Sequence, residues 1–497
     1  MFELDLTNLI NVYFLLCLSG LLLLYWYQRP RNFPPGPRGI PIFGMLPFMG
    51  KYGERKLAKW SKTYGPVMSL RMGRNDVVFL NDFNSIHEAL VKQHAKFSGR
   101  TDAITPFMKD IMKNVGYIVL DDGEFFKSQK KLGQRVLSGL GVGGRKLESR
   151  VTEEASYLNE AIRSMDGKAF DASIFIKKAV ANNICNIIFG ERFDYDNKQI
   201  EEILSRLTAF TADTTTALAS RICVLAPFLR DIPPIIFVYS RYKERLSMVF
   251  EFIKKKVDEH KETFNEDYLR DFIDAFLKES IKDNNNWFTN DQLIFYIREL
   301  FFAGTETVSS TLTWALLCLL HYPEVHQKLR REILNVIGYD GTASMTHKPM
   351  MPYTRAFLQE VMRYRTLAPL SIFHKTNEDA ELNGYFIPKN TMVGPNIWAV
   401  HNDADFWDEP EKFKPERFID DKGEFVQPSH IIPFSLGPRA CLGKQLAKME
   451  IFIFLVSMVQ KFEFLPNPDD YELPNVEHGT SGVAFVPHPF RLVAKIC

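Results

Sequence analysis

The feature that most constrains the fold is a long, predominantly apolar stretch over residues 289–321. Thr289 begins it in the pattern of a helical capping box, and the spacing predicts one helix of roughly 50 Å. Arg298, Glu299 and Glu306 lie inside the stretch. Charges at mid-bilayer depth are costly, so this helix is not expected to span a membrane. It must instead cross the core of a large globular domain.

The overall composition supports a domain of that size. The 497 residues are 46% hydrophobic and include 61 basic and 60 acidic residues, so no net field attracts nucleic acid, and no such partner is expected. No Gly/Ser-rich linker or repeat divides residues 42–497, which predicts one domain, mainly α with small β-sheets. Helices are predicted near residues 151–165, 200–219, 239–260 and 351–365, and strands within 67–80, 385–387 and 483–486.

The N-terminal segment predicts a membrane anchor. Residues 9–27 are apolar except for Asn11 and Ser19, long enough as a helix to cross a bilayer, and acidic residues precede them while arginines follow. That charge order favours a single-pass anchor over residues 1–28 with the rest of the chain in the cytoplasm, over the alternative of a cleaved signal peptide. Residues 29–41 are proline-rich and predict a stiff hinge.

One of six cysteines has neighbours that indicate chemistry. The six are far apart, with no C-x-x-C pair, so a zinc site or disulfide framework is not expected. Cys441 precedes a predicted helix over residues 444–460, where the helix N-terminus favours a thiolate. Gly437 and Gly443 permit close approach of a flat cofactor, and Arg439 could pair with a heme propionate. The stretch therefore predicts that Cys441 is the thiolate ligand of a heme iron.

This pattern resembles a known family. Phe434-x-x-Gly437-x-Arg439-x-Cys441-x-Gly443 is similar to the heme-binding signature of the cytochrome P450 superfamily, without departure at its defining positions. Other family marks follow the same order along the chain as in the family, and further segments resemble the animal microsomal, family-2-like clan. The marks are Ala303-Gly304-Thr305-Glu306-Thr307, Glu360-x-x-Arg363 and Pro415-Glu416-Arg417-Phe418, and the clan segments are residues 96–100, 189–194 and 270–277.

The resemblance implies a cytochrome P450 fold and a catalytic domain over residues 42–497. It implies heme b as the cofactor and a monooxygenase that inserts one oxygen atom from O2 into a hydrophobic small molecule, such as a steroid, fatty acid, terpenoid or xenobiotic. NADPH–cytochrome P450 reductase would supply the electrons, with cytochrome b5 as an optional partner, at the endoplasmic reticulum membrane. Two alternatives stay open: a heme-thiolate isomerase or lyase of fatty-acid peroxides, and a non-catalytic heme-binding protein.

The resemblance also assigns roles to residues on both sides of the heme. Cys441 would be the proximal ligand, and Glu306 and Thr307 would relay protons on the distal side, although Val308 stands where the family often has a second hydroxyl. Gly304 has the alternative reading of a packing glycine at a helix crossing. The residues expected to contact the heme are Cys441, Arg439, Arg100, Lys130, His374, Phe434, Gly437 and Gly443.

Other residues are assigned to the heme cradle, to stability and to the substrate pocket. Phe126 and Lys130 depart from the Trp and Arg usual in the family, which predicts weaker heme retention because the indole donor and the planar fork are lost. Residues 226–239 could dip into the membrane surface or form an ordinary core loop. A buried ion-pair network is expected from Glu360, Arg363 and Arg417, and a greasy pocket from Ala303, Leu370 and Val483.

Overall fold

The structure, a computed structural model, describes residues 6–41, 43–73, 75–100, 115–139, 145–212, 232–233, 235–470, 472–482 and 484–497. Helices form most of it. The helices are α1 Leu6–Tyr27, α2 Gly53–Tyr64, α3 Phe83–His87, α4 His94–Phe97, α5 Glu124–Gly139, α6 Arg145–Arg163, α7 Ala172–Phe189, α8 Lys198–Ala212, α9 Ile235–Thr263, α10 Phe272–Ile281, α11 Asn290–His321, α12 Pro323–Ile337, α13 Pro352–Tyr364, α14 Ile397–His401 and α15 Lys444–Lys461. The strands are β1 Val67–Met72, β2 Asn75–Leu80, β3 Gly99–Arg100, β4 His374–Lys375, β5 Ala380–Leu382, β6 Tyr385–Ile387, β7 Met392–Pro395, β8 Phe462–Pro466, β9 Gly479–Ser481, β10 Phe485–Pro487 and β11 Leu492–Ile496.

Helix α11 is the predicted core-crossing helix, and it begins and ends as the sequence indicates. Thr289 caps it by accepting a hydrogen bond from the Gln292 amide at 3.2 Å. Its residues are buried along most of its length, and it packs against α7 in the main hydrophobic core. Gly304 is a packing glycine at this crossing, because a Cβ there would lie 2.4 Å from the Ile184 side chain of α7.

The largest sheet has the strand order β1-β2-β7-β4-β3. The β1–β2 hairpin is antiparallel, as the sequence predicts, and β7 pairs in parallel with β2. Beyond β7, the short strands β4 and β3 pair so that Arg100 lies opposite His374. The sheet therefore brings together two predicted heme contacts that are distant in sequence.

The predicted helices and strands are largely present with shifted ends. The segment predicted near 200–219 forms α8 up to Ala212, and the part beyond lies outside the described residues. Residues 226–231 and 234 of the proposed membrane-dipping segment also lie outside them, and α9 begins at Ile235. Over the described part of the chain, no helix reaches the length and apolarity needed to cross a membrane. The transmembrane anchor therefore stays a prediction.

The proline-rich segment after α1 is fixed to the domain rather than free. Ser69 of β1 donates from its amide to Pro35 O and from its hydroxyl to Pro34 O, both at 2.7 Å. Arg29 closes the segment by donating to Gly36 O at 2.7 Å, and Phe33 is buried. These contacts hold the segment where it meets the domain.

Candidate active site

The cysteine loop, residues 431–441, lies between the irregular segment that follows α14 and helix α15, and it carries Cys441. The Cys441 amide donates to Phe434 O at 3.0 Å, and the turn between them contains Ser435 and Gly437 at φ values of 60° and 74°. A Cβ at Gly437 would lie 1.8 Å from the carbonyl oxygen of Leu90. Only glycine fits there, because both the left-handed backbone and the close approach exclude a side chain.

Cys441 is exposed to solvent, although many protein atoms surround its thiol. Burial raises the pKa of this thiol, whereas the Gly443 amide and the Lys444 charge lower it. The helix-terminus effect expected from the sequence is therefore outweighed by burial. A bound metal ion would restore the thiolate, because metal binding displaces the thiol proton. No side chain or backbone atom lies within 4 Å of a Cβ built at Gly443, so that side of the loop is open.

A cluster of cationic and imidazole groups lies beside the cysteine loop. Arg100 is buried and donates to the carbonyl oxygens of Ile372 and Phe373 at 3.1 and 3.0 Å. Arg439 donates to Ser98 O and Leu120 O, both at 2.9 Å. Burial and the nearby Arg439 charge lower the pKa of Arg100 to about 9, and burial lowers the pKa of Arg439 to about 10.

His374 and Lys130 complete this cluster. His374 bonds through Nδ1 to Phe97 O at 2.8 Å, and burial with the nearby Arg100 charge holds its pKa well below 6.5. Lys130 donates to Pro438 O of the cysteine loop at 2.6 Å. Phe126 is buried 3.3 Å beneath the Arg439 guanidinium carbon, so it supports that arginine by a cation–π contact where the family usually has tryptophan.

These residues fit a heme with its carboxylate side chains. Among the described residues, Arg100 Nη2 and Arg439 Nη1 have no protein acceptor, so each retains donors for a carboxylate. Burial lowers the pKa of both guanidinium groups, and the Arg439 charge lowers that of Arg100 further, so an anion beside them would stabilise their charges. The open face at Gly443 and the accessible thiol of Cys441 leave room for a flat group beside the loop.

The predicted distal pair is on α11, but both groups have protein partners. Thr307 donates its hydroxyl hydrogen to Ala303 O at 2.6 Å. The buried Glu306 carboxylate forms an ion pair with Lys177 of α7 at 3.0 Å. A cavity of about 40 Å³ lies between α11 and the cysteine loop with α15, and Thr307, Thr311, Phe434 and Ile451 are among its lining residues. Thr307 therefore borders the space between α11 and the cysteine loop, whereas Glu306 is held toward α7.

Glu360, Arg363 and Arg417 lie together, as the resemblance implies. Arg363 donates to both Glu360 carboxylate oxygens, at 2.6 and 2.8 Å, and both side chains are fully buried. Arg417 donates to Glu360 at 3.2 Å. Arg363 also donates to the carbonyl oxygens of His401 and Pro410, each at 2.9 Å. The network therefore connects α13, α14 and the segment before the cysteine loop.

Comparison with known proteins decides the family. The model of the family described as Cytochrome P450 matches residues 34–494. The chain belongs to the cytochrome P450 family. As a member, it is a cytochrome P450 monooxygenase with a heme-thiolate cofactor, which confirms the family and the enzyme class predicted from the motifs.

The similar proteins are animal members of cytochrome P450 family 2. Cytochrome P450 2U1 of Bos taurus is 34% identical, over 96% of this chain and 92% of the relative. Cytochrome P450 2J2 of Homo sapiens is 38% identical, over 88% of this chain and 87% of the relative. Cytochrome P450 2A13 of Homo sapiens is 34% identical, over 98% of both.

Two of the three predicted pocket residues of this cytochrome P450 lie in the described part of the chain. Ala303 is half-buried on α11 one turn before Thr307, and its carbonyl accepts the Thr307 hydroxyl. Leu370 is half-buried and packs against the cluster that contains Phe79. Val483 lies outside the described residues.

One buried acid near this site was missed as a site residue. Glu299 on α11 accepts hydrogen bonds from the Tyr117 and Ile118 amides through Oε2, the latter at 2.9 Å. Burial raises its pKa to about 7, and Gly116 packs directly against its carboxylate. The sequence displays Glu299 only as a charge in an apolar helix. Its role in fixing residues 116–118 depends on a long-range contact that no local pattern indicates.

Proposed function

We propose that this chain inserts one atom of O2 into a hydrophobic small molecule, with electrons from NADPH delivered by NADPH–cytochrome P450 reductase. The arrangement that supports this most strongly is the cysteine loop, which carries Cys441 and Arg439, beside Arg100, Lys130 and His374. An accessible thiol beside convergent cationic donors fits an iron porphyrin with two carboxylates. Steroids, fatty acids, terpenoids and xenobiotics are the proposed substrate classes, and cytochrome b5 is an optional second electron donor.

We assign the roles in heme binding as follows. Cys441 would ligate the iron, and Arg100 and Arg439 would hold the carboxylates, with Lys130 beside them. Because His374 Nδ1 donates to Phe97 O, the neutral ring has a lone pair at Nε2, so His374 would donate to a carboxylate only after taking up a proton there. Phe434 and Gly437 shape the cysteine loop, and Gly443 leaves space beside it. When bound, the heme supplies the oxygen-activating chemistry, and a thiolate ligand favours cleavage of the O–O bond. Phe126 supports Arg439 instead of donating to the cofactor.

Thr307 and Glu306 are the proposed distal groups, with different tasks. Because the Thr307 hydrogen is committed to Ala303 O, its oxygen keeps lone pairs that can accept a hydrogen bond from a water molecule. Glu306 is held by Lys177, so its carboxylate must turn from α7 before it can exchange a proton with that water. Thr307 positions water, and Glu306 connects it to the proton supply.

Reconstitution tests the proposed function. The full-length, heme-loaded protein is combined with reductase and NADPH and screened against the four substrate classes. The Thr307→Val variant is assayed in the same way. We expect NADPH-dependent hydroxylated product from wild type and a shift from product to hydrogen peroxide in the variant. Rearrangement of fatty-acid peroxides without NADPH, together with no NADPH-dependent product, would contradict the proposal.

The Lys177–Glu306 pair has a measurable consequence for stability. We expect Lys177→Met to lower the free energy of unfolding by about 1–3 kcal/mol, because it removes a cation from a buried carboxylate. In a Glu306→Gln background the same substitution should cost less than about 0.5 kcal/mol. Urea unfolding of the four proteins measures this cycle. Equal costs in the two backgrounds would show that Lys177 does not hold Glu306.

We further propose attachment to the endoplasmic reticulum membrane through residues 1–28, with residues 42–497 as the cytoplasmic catalytic domain. The apolar side chains of α1, such as Phe14, Leu21 and Leu24, are exposed, and exposed apolar surface of this kind favours a lipid environment. The fixed segment after α1 would orient the domain relative to the membrane. Fractionation of the full chain and of a form lacking residues 1–28 distinguishes this attachment from attachment elsewhere.

A further inference from the structure

We infer that His401 is a positioning residue that fixes the cysteine loop to the buried Arg363 network, an inference that rests on the proposed role of Cys441. His401 is the last residue of α14 and is fully buried. Both of its ring nitrogens have partners, and these partners belong to different parts of the fold. The ring therefore connects two segments that share no strand or helix.

The first partner is in the cysteine loop. The Ile432 amide lies 3.0 Å from His401 Nε2. A backbone amide can only donate, so Nε2 must carry a lone pair and Nδ1 must carry the proton. Nδ1 lies 2.8 Å from Thr366 Oγ1, to which it donates. The Thr366 hydroxyl in turn donates to Arg363 O at 2.9 Å.

The direction of each hydrogen bond is thus consistent along the chain. Ile432 donates to His401, His401 donates to Thr366, and Thr366 donates to Arg363. Arg363 in turn donates to the backbone carbonyl oxygen of His401 at 2.9 Å, so the hydrogen bonds lead back to His401. The neutral ring with its proton on Nδ1 therefore matches the donors and acceptors around it. Burial and the Arg363 charge lower the pKa of His401 to about 3, which keeps the ring neutral.

The same series continues to the cysteine. Ile432 O accepts from the Ser435 amide, and Phe434 O accepts from the Cys441 amide, both at 3.0 Å. Ser435 has φ of 60°, a conformation disfavoured for a residue with a side chain, so the turn needs outside support. His401 supplies it at Ile432. Without it, the buried amide loses its acceptor and the thiol can leave the position required for ligation.

Two substitutions separate positioning from mere packing. In His401→Gln the side-chain amide can occupy the place of Nε2 and accept from Ile432. In His401→Asn the shorter side-chain amide can occupy the place of Nδ1, so the hydrogen bond to Thr366 is retained and the one from Ile432 of the cysteine loop is lost. Both remove the imidazole ring from a buried position, so both should lower the unfolding midpoint. Only His401→Asn should change the ligand.

The test uses carbon-monoxide difference spectra of full-length, heme-loaded protein. We expect His401→Asn to lower the ratio of the strongly red-shifted thiolate band to the unshifted band by about fivefold, the factor implied by one lost hydrogen bond, and His401→Gln to restore most of it. If His401→Asn does not accumulate, Thr366→Val should lower the ratio in the same direction, because without an acceptor for Nδ1–H the imidazole can change to the tautomer whose Nε2 no longer accepts from Ile432, a change that the amide of His401→Gln cannot undergo.

The possible outcomes are distinct. Equal thiolate fractions in His401→Asn and His401→Gln would overturn the positioning role alone. If His401→Asn fails to accumulate, an unchanged thiolate fraction in Thr366→Val would do the same. A wild-type protein without the red-shifted band overturns the role of Cys441 and this inference together.

Discussion

Arg363→Ala is expected to yield little or no folded, heme-loaded protein. Arg363 is fully buried, donates twice to Glu360 and also donates to three carbonyl oxygens. Its removal leaves a buried carboxylate with Arg417 as the remaining cation and leaves the three carbonyls without this donor. Breaking a buried pair in this way costs about 3–5 kcal/mol, a large part of a typical domain's stability. Heme absorbance per total expressed protein measures the loss.

The matched control is an exposed ion pair on the same molecule. Lys92 pairs with Glu88 at 2.9 Å, and the lysine side chain is 63% exposed. Lys92→Ala should change stability by less than about 0.5 kcal/mol because water replaces the partner. Arg363→Lys should lie between the two, since lysine keeps the charge but lacks the planar fork. Heme content near the wild-type value in Arg363→Ala would mean that the network is dispensable.

Glu450→Gln is expected to remove the part of the loss of stability with rising pH that is due to Glu450. Glu450 of α15 is fully buried, and Asn183 of α7 lies beside it. Burial raises the pKa of Glu450 from 4.5 to about 8. The folded protein therefore keeps the proton while the unfolded chain loses it, so stability falls as pH rises from about 4.5 to about 8.

The expected size of the effect follows from the difference between the folded and unfolded pKa values of Glu450. A tenfold difference in proton affinity corresponds to about 1.4 kcal/mol, so Glu450→Gln should be more stable than wild type by on the order of 2–5 kcal/mol above pH 8. Below pH 4.5 the two proteins should unfold alike. Urea unfolding at both pH values measures this, with the exposed Glu262→Gln of α9 as a control. A difference that is the same at both pH values would refute the buried-acid account.

Short patterns in the sequence predict the parts of the site that are local. The cysteine loop carries a ten-residue motif, and its glycine requirement at Gly437 is visible there. Glu360 and Arg363 are three residues apart on one helix, which places them on one face. The long helix α11 is equally local, because capping and apolar spacing define it.

The parts of the site that depend on long-range contacts could not be predicted in this way. Arg100 meets His374 because β3 pairs with β4, a short pairing with weak strand signals. Lys177 and Glu306 meet because α7 crosses α11. The sequence predicts that Glu306 relays protons with Thr307 and does not reveal its ion pair with Lys177. His401 has no motif of its own, and only the tertiary structure shows its two partners.

One of the clan segments has a structural explanation. Asp271 caps α10 by accepting from the Asp274 amide at 3.1 Å and bonds to His260 Nε2 of α9 at 2.9 Å. Gly190, at the end of α7, adopts φ of 67° and lies against this carboxylate. Arg270 pairs with Asp274. The segment therefore links α7, α9 and α10, which are far from the cysteine loop in sequence.

The ligation of iron by Cys441 is the central claim, and the carbon-monoxide difference spectrum of the reduced full-length protein tests it most directly. The thiolate predicts a strongly red-shifted Soret band in wild type that disappears in Cys441→Ala, while Cys318→Ala, which removes a buried thiol of α11, retains it. Absence of the shifted band in folded, heme-loaded wild type, or its persistence in Cys441→Ala, would contradict the claim.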